Sequence, residues 1–411
     1  MMIPLFAVTS SSTGFELSTL TANDLIYGFL AFLFSVLLTF ALTPVVRVLA
    51  YRLHAIDVPK DKRRMHDHPI PLIGGLGIFI SFAVSCLLFV SVLDKQLIGM
   101  LLGMLVIVAV GIVDDLRNLP PLVKLAGEIV AALIPLAFGT TINSFVFAGA
   151  TFFFPAWVSY PLTLIWIVAI TNAVNLIDGL DGLACGVSVI SSLCLTLSAI
   201  ISGTNDVALL AFLLAGACVG FLPYNVNPAK IFMGDTGALM LGYALATISV
   251  VGVFKFNAVV SFLVPFLILG IPFSDTVTSI IRRILHHQSP FQADRGHLHH
   301  KLVDMGFSPR ASVLIMYAIS ALLGIVAVML SGDNARVAVY ALLVGIAVIV
   351  VDFLVIKSSA EARREMGVIE DSEKLEHTTG EADQEAMTPE DPSEKPEAAP
   401  KEDKTRENPA Q

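Results

Sequence analysis

Between Leu25 and Ile356 the chain is a succession of apolar stretches, each about as long as an α-helix needs to cross a bilayer. Hydrocarbon offers no water to unpaired backbone groups, so roughly 17–25 consecutive apolar residues must close their hydrogen bonds on themselves as a helix. Such stretches occur near 25–49, 72–92, 97–113, 122–139, 155–175, 183–202, 206–223, 237–254, 258–273, 312–330 and 335–356. They predict an all-α integral membrane protein, a polytopic bundle of about 11 transmembrane helices. The short windows at 97–113, 122–139 and 258–273 leave ten as the alternative count. A content of 55% hydrophobic and 14% charged residues, with a mean hydropathy of +0.80, excludes a soluble globular protein of 411 residues.

Basic residues orient the bundle. If eleven spans alternate, 22 of the Lys and Arg residues fall on one side and only Lys95, Lys255 and Arg336 on the other. The positive-inside rule makes the first side cytoplasmic, with the N-terminus outside and the C-terminus inside the bacterial inner membrane. Three regions follow: a periplasmic N-terminal segment at 1–24, a transmembrane domain at 25–356, and a disordered acidic cytoplasmic tail at 357–411. Residues 361–411 carry sixteen acids against seven bases, so that stretch alone accounts for the net charge of −9. Cys86, Cys185, Cys194 and Cys218 lie within or beside apolar stretches without metal-type spacing and are expected to be small core residues.

The same alternation sends the loops at 51–71, 114–121, 176–182, 224–236 and 274–311 to the cytoplasmic face, where they form the expected active-site loops. The first contains Lys60, Lys62, Arg63, Arg64 and His66; adjacent cations grip phosphate, although such a run also serves as a membrane anchor. Asp114 and Asp115 end the third span. Neighbouring carboxylates repel, and acids at a helix C-terminus oppose the macrodipole, so a bound cation or shared proton is expected there. Lys124 opens the fourth span, and Glu128 one turn later suits an i,i+4 pair with it. Asn172 to Gly182 reads Asn-Ala-Val-Asn-Leu-Ile-Asp-Gly-Leu-Asp-Gly and spaces Asn175, Asp178 and Asp181 three apart. Oxygen ligands beside phosphate suit Mg²⁺; Asp181 is alternatively an N-cap for the sixth span. Asp235, between Gly234 and Gly237, either binds metal or caps the eighth. Arg295, His297, His299, His300 and Lys301 lack the spacing of a helical zinc site and favour an anion such as a diphosphate or sugar phosphate.

Acids for a divalent cation and bases for phosphate, gathered at a lipid interface, suit phosphoryl transfer from a soluble donor to a membrane-bound acceptor. Asp57-x-Pro, Arg63-Arg-x-His66, Val-Gly-Ile-Val-Asp-Asp-Leu-Arg before residue 118, the Asn172–Gly182 run, Ile-Phe-Met-Gly-Asp-Thr-Gly237 and His-Leu-His-His300 stand in order. In them the chain resembles the bacterial polyprenyl-phosphate N-acetylhexosamine-1-phosphate transferases over about residues 25–356. The His-x-His-His form is similar to the branch that uses UDP-GlcNAc to begin O-antigen, common-antigen or teichoic-acid synthesis, rather than the branch that uses UDP-MurNAc-pentapeptide.

The resemblance implies transfer of GlcNAc-1-phosphate from UDP-GlcNAc to undecaprenyl phosphate, with release of UMP. It implies Mg²⁺, with Mn²⁺ as the alternative, at Asn175 and Asp235. It makes Asp114, Asp115 and Asp178 the catalytic residues, with Asp114 and Asp115 acting at the lipid phosphate as candidate base and Lys124 binding that phosphate, and it puts Asp178 and Asp181 in the nucleotide-sugar pocket. Arg63 and Arg64, with Arg295, His297, His299 and His300, would bind the substrates' anionic groups. Expected partners are UDP-N-acetylglucosamine, undecaprenyl phosphate, membrane lipid and a second copy of the chain, and no nucleic acid. An intramembrane prenyltransferase would need a second spaced-acid motif, and a secondary transporter would need paired halves with midplane charges, neither of which the chain shows.

Overall fold

A computed structural model describes residues 21–58, 69–147, 150–252, 263–270 and 305–332, together with the isolated positions 272, 302, 303, 340, 343, 344 and 347. The described helices belong to one compact unit, residues 1–352. In order they are α1 (Ala22–Arg52), α2 (Gly75–Phe89), α3 (Lys95–Arg117), α4 (Pro121–Ala137), α5 (Ala156–Ile177), α6 (Leu183–Ile201), α7 (Asn205–Asn225), α8 (Gly234–Gly252), α9 (Leu263–Ile268) and α10 (Pro309–Leu330). Seven of them, α1, α3, α5, α6, α7, α8 and α10, are long and apolar enough to cross a membrane. The protein is therefore a multi-pass, all-α membrane protein, and each of these seven helices falls on a stretch expected from hydropathy. α2 and α4 are shorter, with 15 and 17 residues. Of the windows at 258–273 and 335–356, only α9 and scattered positions lie among the described residues.

Local chemistry sets the helix ends. Thr21 and Asp24 form a reciprocal capping box at the start of α1. Asp94 accepts from Leu97 N at 2.7 Å to start α3, and Ser308 caps α10. Pro121 opens α4, where its missing N–H costs nothing. Two short antiparallel strand pairs lie between helices: β1 (Ile56–Asp57) with β2 (Ile70–Pro71), and β3 (Ser144–Phe147) with β4 (Ala150–Phe153).

α8 lies at the centre, with 83% of its apolar window buried, whereas α1 has 17% buried. A helix apolar on every side can be buried by protein or by lipid. α8 takes the first course, through close contact at small residues, as membrane helices commonly do. Gly75 of α2 abuts the backbone of Gly237, and Gly111 of α3 abuts that of Thr236. α1 takes the second, exposing Leu25, Phe29, Leu37 and Phe40. Buried hydroxyls turn back onto backbone carbonyls: Thr39 donates to Ser35 O at 3.1 Å, and Ser35 crosses to Leu213 O at 2.9 Å.

The segment before α2 then fixes the approach to α8. Phe232 N donates to Pro71 O, Gly74 N to Phe232 O and Gly75 N to Met233 O, at 2.9–3.0 Å. These bonds join residues 71–75 to 232–233 like a short strand pair and set where α8 begins.

A methyl group at Gly75 would meet the Gly237 main chain, which cannot rotate away as a side chain could. Gly75→Ala should therefore destabilise by about 1–3 kcal/mol, measurable as a lower melting temperature of the detergent-purified protein. An unchanged melting temperature would contradict this α2–α8 contact.

Candidate functional site

Loops expected on one side do converge. α3, α5 and α7 deliver their C-terminal ends, and α6, α8 and α10 their N-terminal ends, around one cavity of about 490 Å³. Its lining includes Asp57, Asp114, Asp115, Asp178, Asp181 and Asp235, with Asn118, Asn175, Asn225 and Asn227. Six carboxylates sharing so small a volume repel one another, and the protein offsets four of them, Asp114, Asp115, Asp181 and Asp235, with partners of their own.

Lys124 is the first offset. Its ammonium donates to Asp235 Oδ1 at 2.7 Å and Asn175 Oδ1 at 3.0 Å, and pairs with Asp114 Oδ2 at 3.0 Å. Asn175 Nδ2 donates to the same Asp235 oxygen at 2.5 Å. Thus α3, α4, α5 and α8 meet at a single cationic nitrogen. Asp114 uses its other oxygen to accept from Leu119 N at 2.7 Å, which ties off the turn where Asn118 ends α3 in the left-handed region. Lys124 does not pair with Glu128 as sequence spacing suggested. Glu128 is buried, and its Oε2 accepts from Asn172 Nδ2 on α5.

Asp115 is offset differently. Its Oδ1 accepts from Asp235 N at 2.8 Å, and its Oδ2 from Thr236 N at 3.0 Å and Thr236 Oγ1 at 2.6 Å. A carboxylate at the C-terminus of α3, unfavourable for that helix, is thereby the cap of α8, where the dipole welcomes negative charge. Gly234, at φ +68°, permits the approach: a Cβ there would lie 2.5 Å from Asp115 Oδ2. Asp235 consequently does not cap its own helix, and its side chain is free to face Lys124 and Asn175.

Asp178 ends α5, and its carboxyl is pushed up to about 8, first by burial and then by the charges of Asp235, Asp115 and Asp181. Asp181 is not the N-cap of α6, a position taken by Gly182. Its Oδ2 accepts instead from Asn227 Nδ2 and Ala229 N, both at 3.0 Å.

Asn175 Oδ1, Asp235 Oδ1 and Asp114 Oδ2 therefore surround one positive centre with oxygen alone, the donor type Mg²⁺ takes. Among the described residues no three His, Cys, Asp or Glu side chains cluster as a metal cage. Arg63, Arg64, Arg295, His297, His299 and His300 lie outside the described residues. Asn118, Asn225 and Asn227 line the cavity without having been singled out, and Asp57, quoted above only within the Asp57-x-Pro motif, joins them; the Asn225-Val-Asn-Pro228 pair was the available signal.

Comparison with known proteins gives a consistent result. The model of the family described as glycosyl transferase family 4 matches residues 97–253, which contain Asp114, Asp115, Lys124, Asn175, Asp178, Asp181 and Asp235. The chain is 39% identical to a probable undecaprenyl-phosphate N-acetylglucosaminyl 1-phosphate transferase of Bacillus subtilis, over 73% of this chain and 84% of that protein. It is 36% identical to a decaprenyl-phosphate N-acetylglucosaminephosphotransferase of Mycolicibacterium smegmatis, over 68% and 76%. It is 32% identical to a phospho-N-acetylmuramoyl-pentapeptide-transferase of Chloroherpeton thalassium, over 65% and 81%.

Two outcomes follow from this geometry. Asp115→Asn replaces an acceptor facing the α8 N-terminus and should lower the melting temperature, losing about 1–3 kcal/mol; a variant as stable as the parent would refute the capping role. For Asp178, a carboxyl held well above its unfolded value of 3.8 makes the folded state the better proton binder. Its contribution to stability is therefore complete below about pH 4 and lost as pH rises through about 8. In EDTA, Asp178→Asn should flatten the decline of melting temperature between those limits; an unchanged slope would contradict the shift.

Proposed function

The chain belongs to glycosyl transferase family 4, in its polyprenyl-phosphate N-acetylhexosamine-1-phosphate transferase branch, and on that premise we propose that it transfers GlcNAc-1-phosphate from UDP-GlcNAc to undecaprenyl phosphate. The products are undecaprenyl-diphospho-GlcNAc and UMP. This would be the first membrane step of a cell-surface polysaccharide pathway, carried out at the cytoplasmic face of the bacterial inner membrane. The relatives' names support phospho-sugar transfer to a polyprenyl phosphate, and the Bacillus and Mycolicibacterium names favour GlcNAc over the muramoyl-pentapeptide donor of the Chloroherpeton protein.

The observation that carries the proposal is the meeting of Lys124, Asp114, Asn175 and Asp235 at the end of the bundle. A diphosphate donor and a phosphate acceptor both carry negative charge, so their approach needs cations at the point of reaction. In the proposed step an oxygen of the lipid phosphate attacks the sugar-bearing phosphorus of UDP-GlcNAc. The bond from that phosphorus to the bridging oxygen breaks, and UMP leaves with the electron pair. A phosphate monoester has a second pKa near ~6 and is largely dianionic at neutral pH, so the acceptor needs little help from a base.

Mg²⁺ held at Asn175 and Asp235, or Mn²⁺ in its place, would neutralise the diphosphate and the departing phosphate. Lys124 would bind the lipid phosphate, exchanging part of its carboxylate contact for it. Asp114 keeps Lys124 in place, and Asp115 fixes the first turn of α8 that presents Asp235. Asp178 and Asp181 would face the nucleotide sugar. Arg63, Arg64, Arg295, His297, His299 and His300 would add positive charge for the substrates. The cavity of about 490 Å³ falls within the roughly 300–1,000 Å³ usual for small-molecule sites.

Purified protein given undecaprenyl phosphate and Mg²⁺ should release UMP with UDP-GlcNAc, and EDTA should abolish the release. UDP-GalNAc and UDP-MurNAc-pentapeptide serve as parallel donors, and release with either in preference to UDP-GlcNAc would replace the proposed donor. Asp235→Ala should lower kcat by about 10²–10³ while the protein remains folded. Turnover at the parental rate would remove Asp235 from the site.

A further inference from the structure

The cavity wall that carries Asp181 is held from a distant helix. α10 follows the 271–301 segment in sequence, and two of its side chains reach back to this wall. Arg310 Nε donates to Asn227 Oδ1 and Arg310 Nη2 to Asn227 O, both at 3.1 Å. Asn227 Nδ2 in turn donates to Asp181 Oδ2 at 3.0 Å. Two turns further along α10, Tyr317 donates through its hydroxyl to Gly182 O at 2.5 Å, the carbonyl of the residue after Asp181. The ring lies where a Cβ at Gly186 would be, so a glycine is required for α10 to come this close.

We propose that Arg310 and Tyr317 are positioning residues for the sugar-nucleotide donor, acting by clamping Asp181 from its two sides. The inference rests on the donor-pocket assignment of Asp181 made above. Both hydrogen bonds to Asp181 fall on Oδ2, and among the described residues Oδ1 accepts none, which leaves that oxygen to meet an N–H or O–H of the ligand. Asn227, Asp181 and Pro309 all line the cavity, so the clamp converges on the ligand volume rather than on the bundle core. Arg310 is exposed, and hydrogen bonds at an exposed rim add little to stability. Its forked, planar guanidinium holds the side-chain and main-chain oxygens of Asn227 together, which a lysine ammonium on a flexible stem would not reproduce.

The test is steady-state kinetics of the full-length protein with UDP-GlcNAc and undecaprenyl phosphate varied separately. Arg310→Ala should raise the donor KM about tenfold, the worth of one well-placed hydrogen bond, with kcat, acceptor KM and melting temperature near parental values. Arg310→Lys should be similarly impaired, Tyr317→Phe should raise the donor KM by a smaller factor, and Arg310→Ala combined with Asn227→Ala should be no worse than the stronger single change. A donor KM unchanged in Arg310→Ala, or a rise shared equally by the acceptor, would overturn the clamp while leaving the transferase assignment intact. A lower melting temperature with lower kcat and unchanged donor KM would make the contact structural only. A parental protein that turns over no sugar nucleotide would overturn the clamp together with the function on which it rests.

Discussion

Charge at the edge of hydrocarbon is the constraint from which the rest of this structure follows. Acids inside or beside a membrane are costly unless each finds a donor or a cation. This protein brings six aspartates to one cavity and answers four of them with different devices. Lys124 serves Asp114 and Asp235, the N-terminus of α8 serves Asp115, and the α7–α8 loop serves Asp181. Each device comes from a different part of the chain: α4, the start of α8, and the loop between α7 and α8. The cost of the charges is thereby converted into long-range specification of how the helix ends meet.

The exchange between α3 and α8 shows how structure and chemistry are coupled. Asp115 would weaken the C-terminus of α3 if left alone, and α8 begins with N–H groups that need an acceptor. Joining them satisfies both and releases Asp235 from the capping role its position invites. Asp235 then shares Lys124 with Asn175, so a carboxylate, an amide and an ammonium from three helices stand within hydrogen-bonding distance. Small residues make this possible. Gly111 and Gly234 allow α3 to approach the start of α8, and Gly75 lets α2 do the same from the other direction.

Precision of this kind is what phosphoryl transfer between two anions requires. The protein has little covalent work to do and much charge to place. A soluble nucleotide sugar and a lipid phosphate can meet only at the membrane boundary, and there α3, α5 and α7 end while α6, α8 and α10 begin. Lipid-facing α1 and buried α8 mark the two extremes of the scaffold that holds this boundary site.

The sequence by itself determined the helical membrane architecture, because an apolar stretch of bilayer length has one way to satisfy its backbone. The positions of Asp114, Asp115, Asn175, Asp178, Asp181 and Asp235 at the ends of those stretches were legible for the same reason. Polar side chains at a hydrocarbon boundary stand out against their neighbours. The partners of those side chains were not legible. Spacing along one helix suggested Lys124 with Glu128, yet Lys124 turns to Asp114, Asn175 and Asp235, and Glu128 to Asn172. Asp181 looked like a cap for the helix that follows it and is bound instead by residues 46 and 48 positions away. Asp57, Asn225 and Asn227 became cavity residues only through the converging helix ends. Tertiary structure decided these points because a side chain's partner is whatever donor or acceptor packing brings within about 3 Å, and packing joins residues that local periodicity cannot relate.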